Sequence, residues 1–256
     1  MTVGAGPVVA LIGAVATLAC AGCGGGETST AGGALTVAAA SSLTEPFLAY
    51  GEATPAGERF SFAGSDELAG QIRQEAPVDV YAAANTELPQ MLFAEGLVEQ
   101  PTVFTTNSLV LAVPRGSELA SIEDLTEPGV DLVLGTEDVP FGAYARTVLE
   151  RLPAADRDAI LANVRSEESD VKAAVGKLTQ GAADASFTYV SDVAAAADRI
   201  EAIELPAELA PEVAYGVAVV KGSKNADAAR EFIDGLLEGE GARALEDAGF
   251  EPPPEG

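Results

Sequence analysis

Hydroxyls at the starts of predicted helices are the residues of this sequence best placed to do chemistry. Leu35 to Thr44 reads L-T-V-A-A-A-S-S-L-T, an apolar run that shrinks to alanines and stops at Ser41-Ser42. Beyond it Leu43, Phe47 and Leu48 recur at helical spacing, so a strand passes into a helix at the two serines. The design returns at Arg59–Ala63, an alternating strand that runs into Gly64-Ser65-Asp66-Glu67 and then Leu68 and Ile72. Ser169-Asp170 precedes a third helical pattern of Val171, Ala174, Val175 and Leu178, and Tyr189 closes a strand over Ala185–Tyr189. Small residues let a ligand approach the backbone. The first-turn N–H groups of a helix have no partner within it, and a serine hydroxyl adds a further donor. Together these make a cradle for an anion. An ordinary serine N-cap is the plainer reading of any one such stretch by itself.

Composition narrows the chemistry. The chain has 256 residues, 40 acidic against 14 basic, a net charge of -26 and no histidine. Nucleic acid is excluded as a partner, since it needs basic patches. The absence of histidine removes Ser-His-Asp and Cys-His catalysis and the commonest ligand for zinc or copper. An anion is repelled at long range, so an anion site must work through local donors. Ser169 to Lys172 forms an S-x-x-K string of the kind used by secreted serine hydrolases, but no S-D-N or K-T-G partner follows it. Asp79 and Asp192 invite reading as an acid/base pair; both also suit turns or caps that hold site loops, and that reading is adopted.

The elements that must position these residues follow in order. Val78–Ala84 is a third strand and Leu88–Gly96 a third helix, giving β-α-β-α-β and hence a parallel sheet with ligands at the carboxyl ends of its strands. Asn107–Pro114 and Tyr215–Val220 are long apolar strands flanking a middle α/β block, which predicts two lobes and two crossings between them. Amphipathic helices close the chain at Ala226–Leu237 and Gly241–Ala248. At the other end, Val8–Ala21 has the length of a signal-peptide core. It runs into L-A-C-A-G-C-G-G-G, which resembles a bacterial lipoprotein signal with Cys23 as the lipidated residue and Cys20 as the alternative. Residues 24–33 are a Gly/Ser/Thr tether.

The order and spacing of eight segments resemble the periplasmic molybdate-binding proteins of ABC transporters. They are A-A-S-S-L-T (39–44), F-A-G-S-D-E-L-A-G-Q-I (62–72), A-P-V-D-V-Y-A-A-A-N (76–85), N-S-L-V-L-A-V-P (107–114), D-V-P-F-G-A-Y-A (138–145), D-V-K-A-A-V (170–175), Y-V-S-D (189–192) and Y-G-V-A-V-V (215–220). The resemblance covers Leu35 to Phe250 and implies an α/β, two-lobed type II periplasmic-binding-protein-like fold. Each lobe is then a mostly parallel sheet flanked by helices, and two crossover strands join them. Its borders are a signal peptide over 1–23, the tether over 24–33, a first lobe over 34–110 and 217–256, and a second over 111–216. It further implies a monomeric, lipid-anchored extracytoplasmic receptor rather than an enzyme, with permease and ATPase subunits as partners and no cofactor or metal cation. Its ligand would be molybdate or tungstate. Ser42 and Ser65 would donate through hydroxyl and N–H, Phe141 and Val171 through backbone N–H, and Tyr189 through its hydroxyl. Phe141 stands where the family commonly has a small residue, so its ring could narrow the cleft or act as a lid. Lys172 is expected to point to solvent. Sulfate, phosphate or ferric iron receptors of the same architecture are the neighbouring alternatives; iron sites favour paired tyrosines, whereas Thr188 precedes Tyr189 here.

Overall fold

The computed structural model describes residues 1–2, 34–54 and 57–254. Cys20, Cys23 and the 24–33 tether lie outside the described residues. The first sheet has the order β2-β1-β3-β10-β4, from β1 (Thr36–Ala40), β2 (Arg59–Ala63), β3 (Val80–Ala83), β4 (Thr102–Asn107) and β10 (Val213–Val219). The second has the order β7-β6-β8-β5-β9, from β5 (Leu109–Pro114), β6 (Leu132–Gly135), β7 (Val164–Glu168), β8 (Ala185–Tyr189) and β9 (Ile200–Glu204). In the first sheet β1, β2 and β3 run parallel and β10 lies antiparallel to its two neighbours. In the second, β6, β7 and β8 run parallel and β5 is the reversed strand. The two sheets therefore share one topology. In each, the reversed strand is the one that arrives from the other sheet.

The first crossing falls between β4 and β5, at Ser108, where the Asn107 side chain accepts the Ser108 N–H at 2.9 Å and donates to Ser191 Oγ at 2.8 Å. The second falls between β9 and β10. Leu109 and Val110 already pair within the second sheet, and Val213 to Gly216 within the first. The sheets thus exchange the chain a few residues ahead of 110 and 216.

Helices cover both sheets, as parallel strands require. They are α1 (Thr44–Ala53, behind a 3-10 turn at Ser41–Leu43), α2 (Ser65–Arg73), α3 (Glu87–Ala94), α4 (Pro140–Glu150), α5 (Ala154–Ala162), α6 (Val171–Thr179), α7 (Val190–Ala195), α8 (Ala226–Glu238) and α9 (Glu240–Asp247). Leu43 and Phe47 of the first helical stretch are fully buried, while Leu48 faces solvent. Phe47 meets Phe60, Phe104 and Phe232 at centroid distances of 5.7–6.1 Å. Phe47, Phe104 and Phe232 are buried and Phe60 partly so. A fully buried ring contributes about 1.5–3 kcal/mol, so this cluster anchors α1 and α8 on the first sheet. The turn at the start of α1 is thereby held in place at the carboxyl end of β1.

Candidate functional site

At the start of α2 the cap residue is Gly64 and no side chain caps the helix; the same holds for the turn at Ser41–Leu43, whose cap is Ala40. Neither serine therefore serves its own helix. Ser65 Oγ accepts the backbone N–H of Ala84 at 3.1 Å, and Ser42 Oγ lies 3.0 Å from Tyr215 Oη. Both serines are buried. The Ser65 hydroxyl, accepting from the Ala84 N–H, keeps its single proton for something else.

The second lobe adds two more helix starts. In α4, Pro140 occupies the first helical position and has no N–H, so Phe141 supplies the first one that helix can offer. In α6, Asp170 caps the helix by accepting the Ala173 N–H at 3.0 Å, leaving the Val171 N–H ahead of the bonded turns. Tyr189 closes β8. Its hydroxyl is buried and makes no hydrogen bond among the described residues. Burial pushes its pKa well above the ordinary tyrosine value, with Tyr215 beside it acting in the same direction, so it remains a proton donor.

All five predicted residues, Ser42, Ser65, Phe141, Val171 and Tyr189, line one cavity between the lobes. Its volume is about 20 Å³, on a scale where one water needs roughly 10–15 Å³, so the lobes stand closed. The lining contains no Lys or Arg, and its one carboxylate, Asp170, is the cap of α6. Four helix starts and one hydroxyl converge there from the carboxyl ends of strands in both sheets, the general location of ligands in open α/β sheets. A larger groove of about 580 Å³ lies at the far end of the first sheet. Its buried carboxylate, Asp79, is taken up by the Thr36 N–H (2.8 Å), Ser223 Oγ (2.6 Å) and Asn225 Nδ2 (3.1 Å). Asp79 thus braces the opposite end of β1 and β3 and holds no site loop.

Three expectations about neighbouring residues change. The Phe141 ring is no lid: it packs into the second lobe, so close to Gly135 that a Cβ there would lie 2.7 Å from it. Lys172 does not point to solvent. Its Nζ lies 2.7 Å from Glu45 on α1 and 3.5 Å from buried Asp192 in the second lobe, and Lys172–Glu45 is the one ion pair among the described residues that joins the lobes. Asp192 accepts the Tyr189 N–H at 3.4 Å; burial pushes its pKa up to about 6, against the pull of Lys172. Ser169 is exposed and makes no hydrogen bond to Lys172, so the S-x-x-K string assembles no serine–lysine pair. Tyr215 and Gly64 were not singled out from sequence. Tyr215 reaches the site through Ser42, 173 positions away, and through its ring contact with Tyr189. Gly64 touches the opposite lobe at Ser169.

Two like-built lobes closing on a donor-lined cavity define the class of extracytoplasmic solute receptors. Comparison bears this out: residues 35–251 match the model of the bacterial extracellular solute-binding proteins, and the chain belongs to that family. It is 34% identical over 227 residues to the molybdate-binding protein ModA of Mycobacterium tuberculosis, covering 86% of this chain and 85% of that protein. In fold it is similar to the periplasmic molybdate-binding protein of Azotobacter vinelandii (TM-score 0.76, 19% identity, 86% of this chain and all of that one). The sulfate-binding protein SubI of Mycobacterium tuberculosis is nearly as similar (TM-score 0.75, 16% identity, 86% of each chain). The architecture is therefore common to receptors of different anions.

Proposed function

We propose that this protein is the extracytoplasmic receptor of an ABC importer and captures molybdate, with tungstate as a second ligand, between its lobes. One observation carries the reading: a cavity lined by no Lys or Arg, toward which hydroxyls and helix-start N–H groups converge from both lobes, with the Tyr189 hydroxyl unpartnered among the described residues. Ser42 and Ser65 donate from the first lobe; Phe141 and Val171 N–H and the Tyr189 hydroxyl donate from the second. The one carboxylate of the lining, Asp170, is already engaged by the Ala173 N–H as the cap of α6, so the lining offers mainly donors. That suits a fully ionised oxyanion better than phosphate, whose proton needs a free acceptor. Among such oxyanions, the name of the 34%-identical relative supports molybdate over sulfate. The receptor works as a monomer, delivers its ligand to permease and ATPase subunits, and has no catalytic step.

Titration calorimetry of the purified full chain tests this. Molybdate and tungstate should bind tightly, sulfate weakly and phosphate not at all. Ser42→Ala removes one charge-assisted hydrogen bond, worth about 1.5–3 kcal/mol, and should weaken molybdate roughly 10- to 150-fold. Lys172→Ala leaves the five proposed donors in place and removes a partly exposed pair with Glu45 worth at most about 1 kcal/mol. Buried Asp192, whose pKa is already raised to about 6, can take up a proton once the lysine is gone, so the loss should stay within about fivefold. If the lysine change is the more damaging, or sulfate binds as tightly as molybdate, the reading fails.

Anchoring is proposed on Cys23, diacylated after cleavage behind Gly22, with Cys20 as the alternative. Mass spectrometry of protein extracted from membranes should find the lipid on an N-terminal Cys23. An unmodified Cys23 would exclude it.

A further inference from the structure

We propose that Tyr215 is a positioning residue for anion capture: its buried hydroxyl donates to Ser42 and so turns the Ser42 proton into the cavity. The inference rests on the reading of Ser42 as a donor to the ligand. Ser42 Oγ and Tyr215 Oη lie 3.0 Å apart in a fully buried contact. Each hydroxyl owns one proton, and an oxyanion without protons can only accept. If Ser42 spends its proton on Tyr215, it presents a lone pair to the anion and repels it. If Tyr215 donates, Ser42 keeps its proton and, lining the cavity, can offer it to the anion there. The phenol is the stronger acid of the pair and hence the better donor. Burial pushes its pKa well above the ordinary value, so its proton stays in place.

The fold holds this hydroxyl with little freedom to swing. The Tyr215 ring meets Phe250 at 5.4 Å and 83°, Tyr189 at 5.8 Å and 65°, and Phe104 at 6.3 Å and 89°. Its strand is also irregular at this residue. Tyr215 pairs with Thr105 but Gly216 with Val103, so Phe104 has no opposite residue. Such bulges re-aim a side chain where a site needs it. Tyr215 thus stands on the first sheet, behind one donor of the first lobe and against the Tyr189 ring of the second.

A double-mutant cycle by titration calorimetry with molybdate tests the inference. Tyr215→Phe keeps the ring and its packing and removes only the hydroxyl. Alone it should weaken binding roughly five- to tenfold; in the Ser42→Ala background it should change affinity less than twofold, because the group it acts through is gone. An equal loss in both backgrounds would show a structural effect on the cleft and overturn the proposal, as would no loss in the unchanged chain. If Ser42→Ala itself binds as tightly as the unchanged chain, the donor reading of Ser42 falls and this inference falls with it. That outcome is distinct from a Ser42 effect without a Tyr215 effect, which rejects the positioning role alone.

Discussion

Gly64→Ala should lower oxyanion affinity about a hundredfold or more while leaving the ligand-free fold intact. Gly64 has φ -60° and ψ 140°, a backbone conformation open to any residue, so alanine brings no local strain. Its Cβ would, however, overlap the carbonyl oxygen of Ser169 on the opposite lobe. It would also come within 2.8 Å of the Asp66 carboxylate, a flexible side chain that can step aside. The backbone of another lobe cannot move away without reopening the cleft. Ser65 is the next residue on one side and Val171 lies two residues beyond Ser169 on the other, so the same displacement draws apart two proposed donors. At about 1.5–3 kcal/mol each, their loss amounts to roughly 3–6 kcal/mol, or at least about a hundredfold in Kd. A ligand shifts lobes only by binding the closed state better. Solution scattering should therefore show the unchanged chain contracting on molybdate and the variant failing to contract, at equal unfolding temperatures without ligand. Full affinity in the variant would mean that closure does not require this contact.

Gly142→Ala should instead act on the fold. Gly142 sits in the first turn of α4, and a Cβ there would overlap the Thr136 carbonyl oxygen and lie 2.6 Å from the Gly135 carbonyl carbon. All of these are backbone atoms at the end of β6. Arg146 ties the same corner together, donating to the Gly135 and Gly142 carbonyls at 2.7 and 3.1 Å while pairing with Glu137 and Glu167. Overpacking a rigid contact costs about 1–3 kcal/mol and occasionally more. With backbone on both sides the upper end applies, and thermal unfolding should fall by roughly 10 °C for a domain of this size. Because Phe141 precedes Gly142, anion affinity should fall as well. Unchanged stability would show that α4 can lift from β6 freely, and that Phe141 N–H is held by something else.

Much of the local structure was legible from residue order alone. The passages from β1 into α1 and from β2 into α2 showed in the change from strand-like to helical spacing, and the strand ending at Tyr189 coincides with β8. Such patterns are local, because cap chemistry and side-chain periodicity act within a few residues. Strands β7 (V-R-S-E-E) and β9 (I-E-A-I-E) were not recognised. They form the two edges of the second sheet, where charge is tolerated and apolar runs are not needed. Strand β4, threonine-rich and at the edge of the first sheet, escaped for the same reason.

The candidate site divides along the same line. Residue types and order were enough to single out Ser42, Ser65, Phe141, Val171 and Tyr189 and to expect uncharged donors at helix starts. Whether those serines cap their own helices was undecidable from sequence, since a cap and a ligand donor begin a helix with the same residue. Tertiary structure decided it by giving each hydroxyl a distant partner, Ala84 for Ser65 and Tyr215 for Ser42. It likewise turned the Phe141 ring into the core, paired Lys172 with Glu45 across 127 positions, and set Gly64 against Ser169. These are contacts between segments whose separation only the two crossings of the chain close, and no local preference of the residues concerned encodes them.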